Sequence, residues 1–540
     1  MSNNAGPYRT ARAALRPLLF GLLLLPALIP LLQGDALPCT HDNIFHSYRI
    51  VAMRDMLRHG WLFSRWVPNL ALGYGYPFFN YREPLPYLVG EALYVTGLQL
   101  PLVLGLLYAA SLVGAAWGAY ALGRDLFGER AGWVAGVAYG LSPYLLMDSL
   151  RRGNMPESVG LALVPWLFVV TRRIILHRRQ SDIVVTTLLL AALFLSHNIT
   201  SLLLAPFLGA YVLLLAWLHR DRGRWPYAFA AVGLAVLLTA WFWLPALTEQ
   251  DYAQLHLSRT TRNNDFRYNF VTWREMLLTL PVPYDPDYLN APMRVMIGTG
   301  QIALGTLGAV LGLFGRNRRR FRAVVALLMC AAVGYLWMAT PGALGLWNRV
   351  DILSFVQFPW RMVGRALLPI CLLSGLAVEL VVSWLSPRRS VTQDRLSVSV
   401  VLLAVCGLTL LGWPETYPPK GICPSLPFPD MRELYARETE GWLGMDPESS
   451  YFPIWVEDHP HDMTLAEAFV NGRLPERFDL SAMPSGAQVL DAVYRPLGAS
   501  LRVISPVSFT GRWLGLYFPG WSASIDGMAV PVWPEEDSGL

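Results

Sequence analysis

The segment His41-Asp42-Asn43-Ile44-Phe45-His46 sets a carboxylate between two imidazoles. Charges in or beside a bilayer are costly, so a loop that carries them between apolar runs is a candidate functional site. Read as a helix starting at Asn43, the segment has Asp42 at its N-cap and His46 one turn on, on the same side. Ile50, Met53 and Leu57 then form an apolar stripe suited to lying on a membrane, and Gly60 ends the helix. The plainer reading, that Asp42 only caps a surface helix, stays open here. Glu83 follows in Asn80-Tyr81-Arg82-Glu83-Pro84, where it is either a second acid or an interfacial partner of Arg82.

Asp148-Ser-Leu-Arg-Arg152-Gly-Asn-Met-Pro-Glu157 packs two acids and two arginines between apolar runs. Ionisable groups at a membrane are costly and mark function more often than decoration. His197, in Leu-Ser-His-Asn, fits a packed core histidine as well as a functional one. The stretch 247–296 carries Arg259, Arg262 and Arg267 among Tyr252, Phe266 and Tyr268, a mixture suited to a lipid phosphate and its first sugar or to a solvated loop. Arg361, after Phe358-Pro-Trp, is placed to anchor a helix or to meet an anionic headgroup.

The elements that must position these groups are membrane helices. Apolar residues make up 54% and charged residues 15%, with mean hydropathy +0.37, too few charges to cover a soluble surface of 540 residues. Apolar runs long enough to cross a ~30 Å hydrocarbon core fall at 17–33, 101–122, 131–147, 157–173, 183–198, 200–218, 226–246, 297–314, 323–339, 362–384 and 396–412. The fold expected is therefore an all-α polytopic membrane protein with about eleven spans. The run 84–99, broken by Pro84, Pro86 and Gly90, is read as interfacial. With that choice the basic clusters at 9–16, 124–130, 172–179, 220–224, 316–322 and 388–389 all face the cytoplasm. The N-terminus is then cytoplasmic, the first apolar run is a retained anchor, and 35–100, 148–156, 247–296, 340–361 and 413–540 face outward.

A linear division follows: a transmembrane module over 1–412 and an outward C-terminal region over 413–540, β-rich from about 487. Strands are expected at 488–494, 500–507 and 512–518, with a hairpin about Asp526-Gly527. The chain stops just past that hairpin, which would leave an unpaired strand edge and points to a truncated sequence. Cys39 and Cys423 share the outward side and could form a disulfide, whereas Cys330, Cys371 and Cys406 read as small buried residues. Lys420 is the one lysine among 43 basic residues, a bias that reads as compositional. No Walker A motif, dinucleotide-binding glycine pattern, His-Glu-x-x-His zinc site or nucleophile elbow is present. No run carries the repeated acids of a proton-driven pump.

The first loop, with His-Asp-Asn-x-x-His, Met-Leu-Arg-His-Gly-Trp-Leu and Arg82-Glu-Pro-Leu-Pro-Tyr87, resembles the corresponding loop of GT-C membrane glycosyltransferases. More narrowly, the chain resembles bacterial "6-pyruvoyl-tetrahydropterin synthase-related" membrane proteins and, more distantly, the YfhO type. The carrying segments are Arg152-Gly-Asn-Met-Pro-Glu157, Leu195-Ser-His-Asn198, Phe242-Trp-Leu-Pro-Ala246, Gln357-Phe-Pro-Trp-Arg361 and Pro519-Gly-Trp521 with Asp526-Gly527. No zinc-binding histidine triad accompanies the pterin name. The resemblance implies inverting transfer of a sugar from a polyprenyl-phosphate donor to a glycan, lipid or protein acceptor at the outer face of a bacterial inner membrane. It implies Asp42 as base or metal-linked carboxylate, Glu83, Asp148 and Glu157 as supporting acids, and His46 and His197 as auxiliaries. Arg152, Arg259, Arg262, Arg267 and Arg361 would meet the donor phosphate. Asn43 stands where other members carry a second acid, which weakens any site for Mg or Mn. Membrane lipids are expected partners and nucleic acid is not. The rival reading is a non-catalytic flippase for lipid-linked saccharides or an envelope assembly protein.

Overall fold

A computed structural model describes residues 7–33, 40–177, 179–219, 225–278, 293–315, 318–385, 391–416 and 429–540. The chain divides into two compact units that interleave along the sequence. The first holds residues 1–43, 101–239 and 262–424; the second holds 44–100, 240–261 and 425–540. A single cut at 412 would miss that two inner segments cluster with the C-terminal one.

Among the described residues, six helices are long and apolar enough to cross a membrane, and up to eight if each of two bent pairs is one span. Three further expected spans land on shorter pieces: Gln180–Ser196, Thr299–Phe314, and the pair Glu129–Gly140 with Pro143–Met147. The expected eleven is therefore not reached on length. Gln180–Ser196 and Thr299–Phe314 are single helices of 17 and 16 residues, whereas Ser142-Pro143 divides the run 131–147 into two.

Helix Arg361–Leu385 forms the centre of the first unit, buried at every position from Arg361 to Val378. It packs against Thr299–Phe314, Glu129–Gly140 and Arg319–Met338. Lipid gives little hydrophobic drive for such contacts, so close van der Waals packing through small residues must supply it. Gly308 and Gly375 do so: a Cβ at Gly308 would overlap the Leu373 carbonyl, and one at Gly375 would overlap the Ala131 carbonyl. Cys371 is buried in this core, but Cys330 and Cys406 are exposed on the outer helices, a correction to the expected burial of all three. Cys39 and Cys423 lie outside the described residues.

The second unit is built around helix Asn43–Arg58 from Ile44 onward. Its start and its end at Gly60 (φ +88°) match the sequence pattern. Its surroundings do not. Ile50, Val51, Met53 and Met56 are all buried, so the helix is a core element rather than one resting on a membrane surface. The cover comes from remote sequence: Phe45 packs on Trp442, and Arg49 Nη2 donates to the Met445 carbonyl at 2.6 Å.

Two hairpins complete this unit. Strand β1 (Gln488–Arg495) pairs antiparallel with β2 (Gly498–Ile504), with a register shift between Val489 and Asp491. Strand β3 (Ala523–Ile525) pairs with β4 (Met528–Val530) across Asp526-Gly527. Both loop residues have positive φ, +50° and +82°, the two-residue turn that matches strand twist. The strand expected over 512–518 is absent; there Trp513 makes only an isolated bridge to Phe478.

Candidate active site

A buried ion network in the first unit gathers five of the residues singled out by sequence. Asp148–Arg152 forms one π-helical turn, ended by Gly153 at φ +72°. Gly153 and Asn154 both donate their N–H groups to the Asp148 carbonyl, at 2.9 and 3.1 Å. Asn154 then caps helix Met155–His177, its Oδ1 accepting from the Glu157 N–H at 3.0 Å. A wide turn followed at once by a helix start brings Asp148, Arg152 and Glu157 onto one side.

Glu157 is fully buried and carries three guanidinium groups. Arg152 Nη1 lies 2.7 Å and Arg361 Nε 3.3 Å from its Oε2, while Arg365 and Tyr144 (3.0 Å) donate to Oε1. Arg152 Nη1 also donates to Asp148 Oδ1 at 3.1 Å, and Ser158 Oγ donates to Asp148 Oδ2 at 3.1 Å. Isolated, any one of these charges would carry a desolvation penalty of several kcal/mol; hydrogen-bonded pairing is what offsets it. Burial, with the Glu157 carboxylate close by, pushes the Asp148 carboxyl up to about 8. Arg152 is held further in its cationic form by Glu157, Asp148 and Asp42, against the opposing effect of burial.

Asp42 stands at the accessible side of this network. Its N–H donates to the Arg152 carbonyl at 2.9 Å, and the His41 N–H donates to the Arg151 carbonyl at 3.2 Å. The two backbones are thus paired, and the Asp42 carboxylate lies 3.8 Å from Arg152 Nε with a third of its side chain exposed. The hydroxyl that accepts from the Asn43 N–H belongs to Thr40, at 3.1 Å. Tyr108 ties the corner together, its single hydroxyl lying 2.6 Å from Asn43 Oδ1 and 2.5 Å from the Gly153 carbonyl oxygen. Aromatic faces cover the arginines: Trp360 lies 4.9 Å from the Arg152 guanidinium and Phe358 4.9 Å from that of Arg361.

The remaining sequence candidates are placed elsewhere. His197 is buried beside the network, its Nδ1 2.6 Å from Thr200 Oγ1, the hydroxyl that also meets Arg365. Arg267 pairs with Asp265 at 3.1 Å, and Arg262 lies 3.9 Å over the Tyr268 ring. Glu83, His46 and Arg259 belong to the second unit. There Glu83 is buried and electrostatically coupled to Arg82, and His46 Nδ1 is 2.9 Å from the Tyr87 hydroxyl. Sequence reading missed Arg365, Tyr144 and Thr200. Arg365 did carry a signal: it sits four residues after Arg361 inside an apolar run, where a charge calls for a partner.

Among the described residues no three histidine, cysteine or acidic side chains gather as metal ligands. The Asp42 carboxylate faces the Arg152 guanidinium, and Asp148 and Glu157 are engaged by arginines. That donor set does not fit Mg²⁺ or Mn²⁺, which want several free oxygens.

A many-helix membrane protein with a carboxylate poised on a buried arginine–carboxylate network is the class these features define. The chain belongs to the 6-pyruvoyl-tetrahydropterin synthase related membrane protein family, whose model matches residues 79–413. No curated protein sequence matches it. Among solved structures it is similar to the arabinofuranosyltransferase AftD from Mycobacteria, at 17% identity and TM-score 0.45, covering 76% of this chain and 27% of that one. It is similar to the oligosaccharyltransferase AglB from Archaeoglobus fulgidus, at 12% identity and TM-score 0.47, covering 87% of this chain and 65% of that one. ArnT from Cupriavidus metallidurans is similar at 14% identity and TM-score 0.40, over 85% and 89%. The chain thus spans less than two thirds of the length of the first two.

Proposed function

We propose that this protein transfers a sugar from a polyprenyl-phosphate-linked donor to a hydroxyl acceptor, with inversion, at the outer face of the cytoplasmic membrane. The observation that carries the reading is Asp42: a part-exposed carboxylate fixed through its backbone to a buried cationic network. In the reaction the acceptor oxygen forms a bond to the anomeric carbon as the bond from that carbon to the phosphate oxygen breaks. The electron pair leaves with polyprenyl phosphate, and Asp42 takes the hydroxyl proton. Arg152 and Arg361, buried against Glu157, act as positioning residues rather than direct phosphate ligands. The guanidinium groups of Arg152, Arg361 and Arg365, gathered at Glu157 beside Asp42, set positive charge where it favours an anionic leaving group. Arg262 and Arg267 add cationic groups in the same unit. No step passes through a metal.

Asp42→Asn tests this directly. Full-length protein in lipid nanodiscs is assayed with a panel of polyprenyl-phosphate sugars and envelope glycan acceptors. The variant is expected to keep its melting temperature and to lose transfer by about 10²-fold or more, the scale of general-base loss. Equal transfer by wild type and variant would remove Asp42 from the chemistry. Saccharide-lipid translocation indifferent to the substitution, without transfer, would favour a flippase.

A further inference from the structure

A cavity of about 410 Å³ within the second unit has the chemistry of a sugar subsite. Its polar side is a hydrogen-bonded network. Arg65 Nη1 donates to Asn80 Oδ1 at 2.6 Å and to Glu249 Oε2 at 3.2 Å, and Asn80 Nδ2 donates to Glu249 Oε2 at 2.9 Å. Asn80 is 2% exposed, whereas the Arg65 and Glu249 side chains keep 42% and 24% of their surface open. The buried amide therefore fixes two charged groups that still reach the cavity.

The other side is aromatic. The Trp66 and Trp521 rings meet edge to face at 6.0 Å and 89°, with Phe518 5.8 Å from Trp66. Trp66 is wedged over Gly75, where any Cβ would strike the indole. Trp521 is carried by Pro519-Gly520, with Gly520 at φ +109°, a conformation that side-chain-bearing residues rarely adopt. Both indoles are thus set by the backbone before any ligand arrives.

Charge selects the ligand. Arg65 and Glu249 neutralise each other across 3.2 Å, so the cavity offers a phosphate or carboxylate no surplus cation. It offers donors and acceptors side by side next to flat apolar faces. A pyranose or furanose ring presents the same pairing: hydroxyls around its rim, and a C–H face that suits the negative face of an indole. We propose that this cavity binds a neutral sugar ring of the acceptor glycan. The word acceptor rests on the transferase reading above; the affinity for a sugar does not.

Calorimetry on the full chain carrying Asp42→Asn reads binding without turnover. The probes are linear oligosaccharides of mannose, glucose and arabinose, and a polyprenyl-phosphate hexose. At least one oligosaccharide is expected to bind saturably, and Trp521→Ala to weaken it about tenfold or more. If Trp521→Ala does not fold, Trp521→Phe and Glu249→Gln are measured instead and should each weaken binding several-fold. No binding by any oligosaccharide, or equal binding by the folded variants, overturns the proposal. Stronger Trp521-dependent binding of the polyprenyl-phosphate hexose than of every oligosaccharide assigns the cavity to the donor and overturns the acceptor assignment. Sugar binding that survives with no transfer by wild type refutes the transferase reading and leaves the sugar site standing. Normal transfer with an unchanged acceptor KM in Trp521→Ala does the reverse.

Discussion

At the scale of single residues, Glu157 and Asp42 are expected to behave as opposites although Arg152 touches both. Glu157 is the common acceptor for Arg152, Arg361 and Arg365, with none of its side chain exposed. Glu157→Gln leaves three guanidinium groups short of a counter-charge in a dry site. Breaking a buried pair this way costs about 3–5 kcal/mol, so the variant should show a sharply lower melting temperature in detergent and poor recovery from membranes. A melting temperature equal to wild type would mean that the network holds nothing together. Asp148 offers a second test, through pH. Its carboxyl is pushed up to about 8 by burial, whereas the unfolded chain gives up that proton near pH 4. A raised carboxyl contributes stability that is fully present below the unfolded value and is lost as pH climbs toward the folded one. Thermal stability is therefore expected to decline from pH 5 to pH 8.5, and Asp148→Asn to flatten that slope. An identical slope in the variant would place the titration elsewhere.

At the scale of elements, the sequence showed what local chemistry determines and hid what distant segments supply. Helix Asn43–Arg58 was legible because its ends are written in neighbouring residues, a polar start and Gly60. The β3–β4 hairpin was legible because Asp-Gly permits two successive positive φ values. The burial of the same helix was not, because Trp442 and Met445 lie some four hundred residues away. Arg361 was picked out by its aromatic neighbours at the start of a helix, and Arg365 was lost inside an apolar run whose partner, Glu157, lies on another helix. Each expected apolar run carries a helix or a bent helix pair, but not each helix is long enough by itself to count as a crossing, since hydropathy does not register a bend or a helix end. Helix packing carries its own expected outcome. Gly375 lets Arg361–Leu385 touch the backbone of Glu129–Gly140 at Ala131, so Gly375→Leu must force the two apart. Overpacking of this kind costs typically 1–3 kcal/mol, and more where the clash is with backbone. Gly334→Leu, on Arg319–Met338 with open space around it, is the matched control and should be neutral. Equal melting temperatures for the two variants would deny the close approach. Gly153→Ala makes the same argument for the π turn: its new methyl would meet the Thr40 hydroxyl and displace the segment that carries Asp42. Transfer should fall more than stability does, read by comparing turnover with melting temperature.

At the scale of the whole molecule, sidedness decides whether Asp42 can meet an extracytoplasmic substrate at all. Arginines follow the apolar runs at 124–130, 172–179, 316–322 and 388–389, and short loops so charged are retained in the cytoplasm. The chain reaches Asp42 soon after its first helices, Pro7–Leu23 and Leu25–Leu32, the first of which carries Arg9, Arg12 and Arg16 in its N-terminal part. On the proposed sidedness, one crossing separates those arginines from His41 and Asp42. In a background with all five native cysteines replaced, His41→Cys should react with a membrane-impermeant maleimide in intact spheroplasts. Arg173→Cys, at the exposed end of Met155–His177, should react only after permeabilisation. The two positions lie at opposite ends of this arrangement, so a uniform labelling artefact cannot mimic the expected pair of results. The reversed pattern would put Asp42 in the cytosol, out of reach of a lipid-linked sugar presented on the other side, and the base assigned to the reaction would have no substrate.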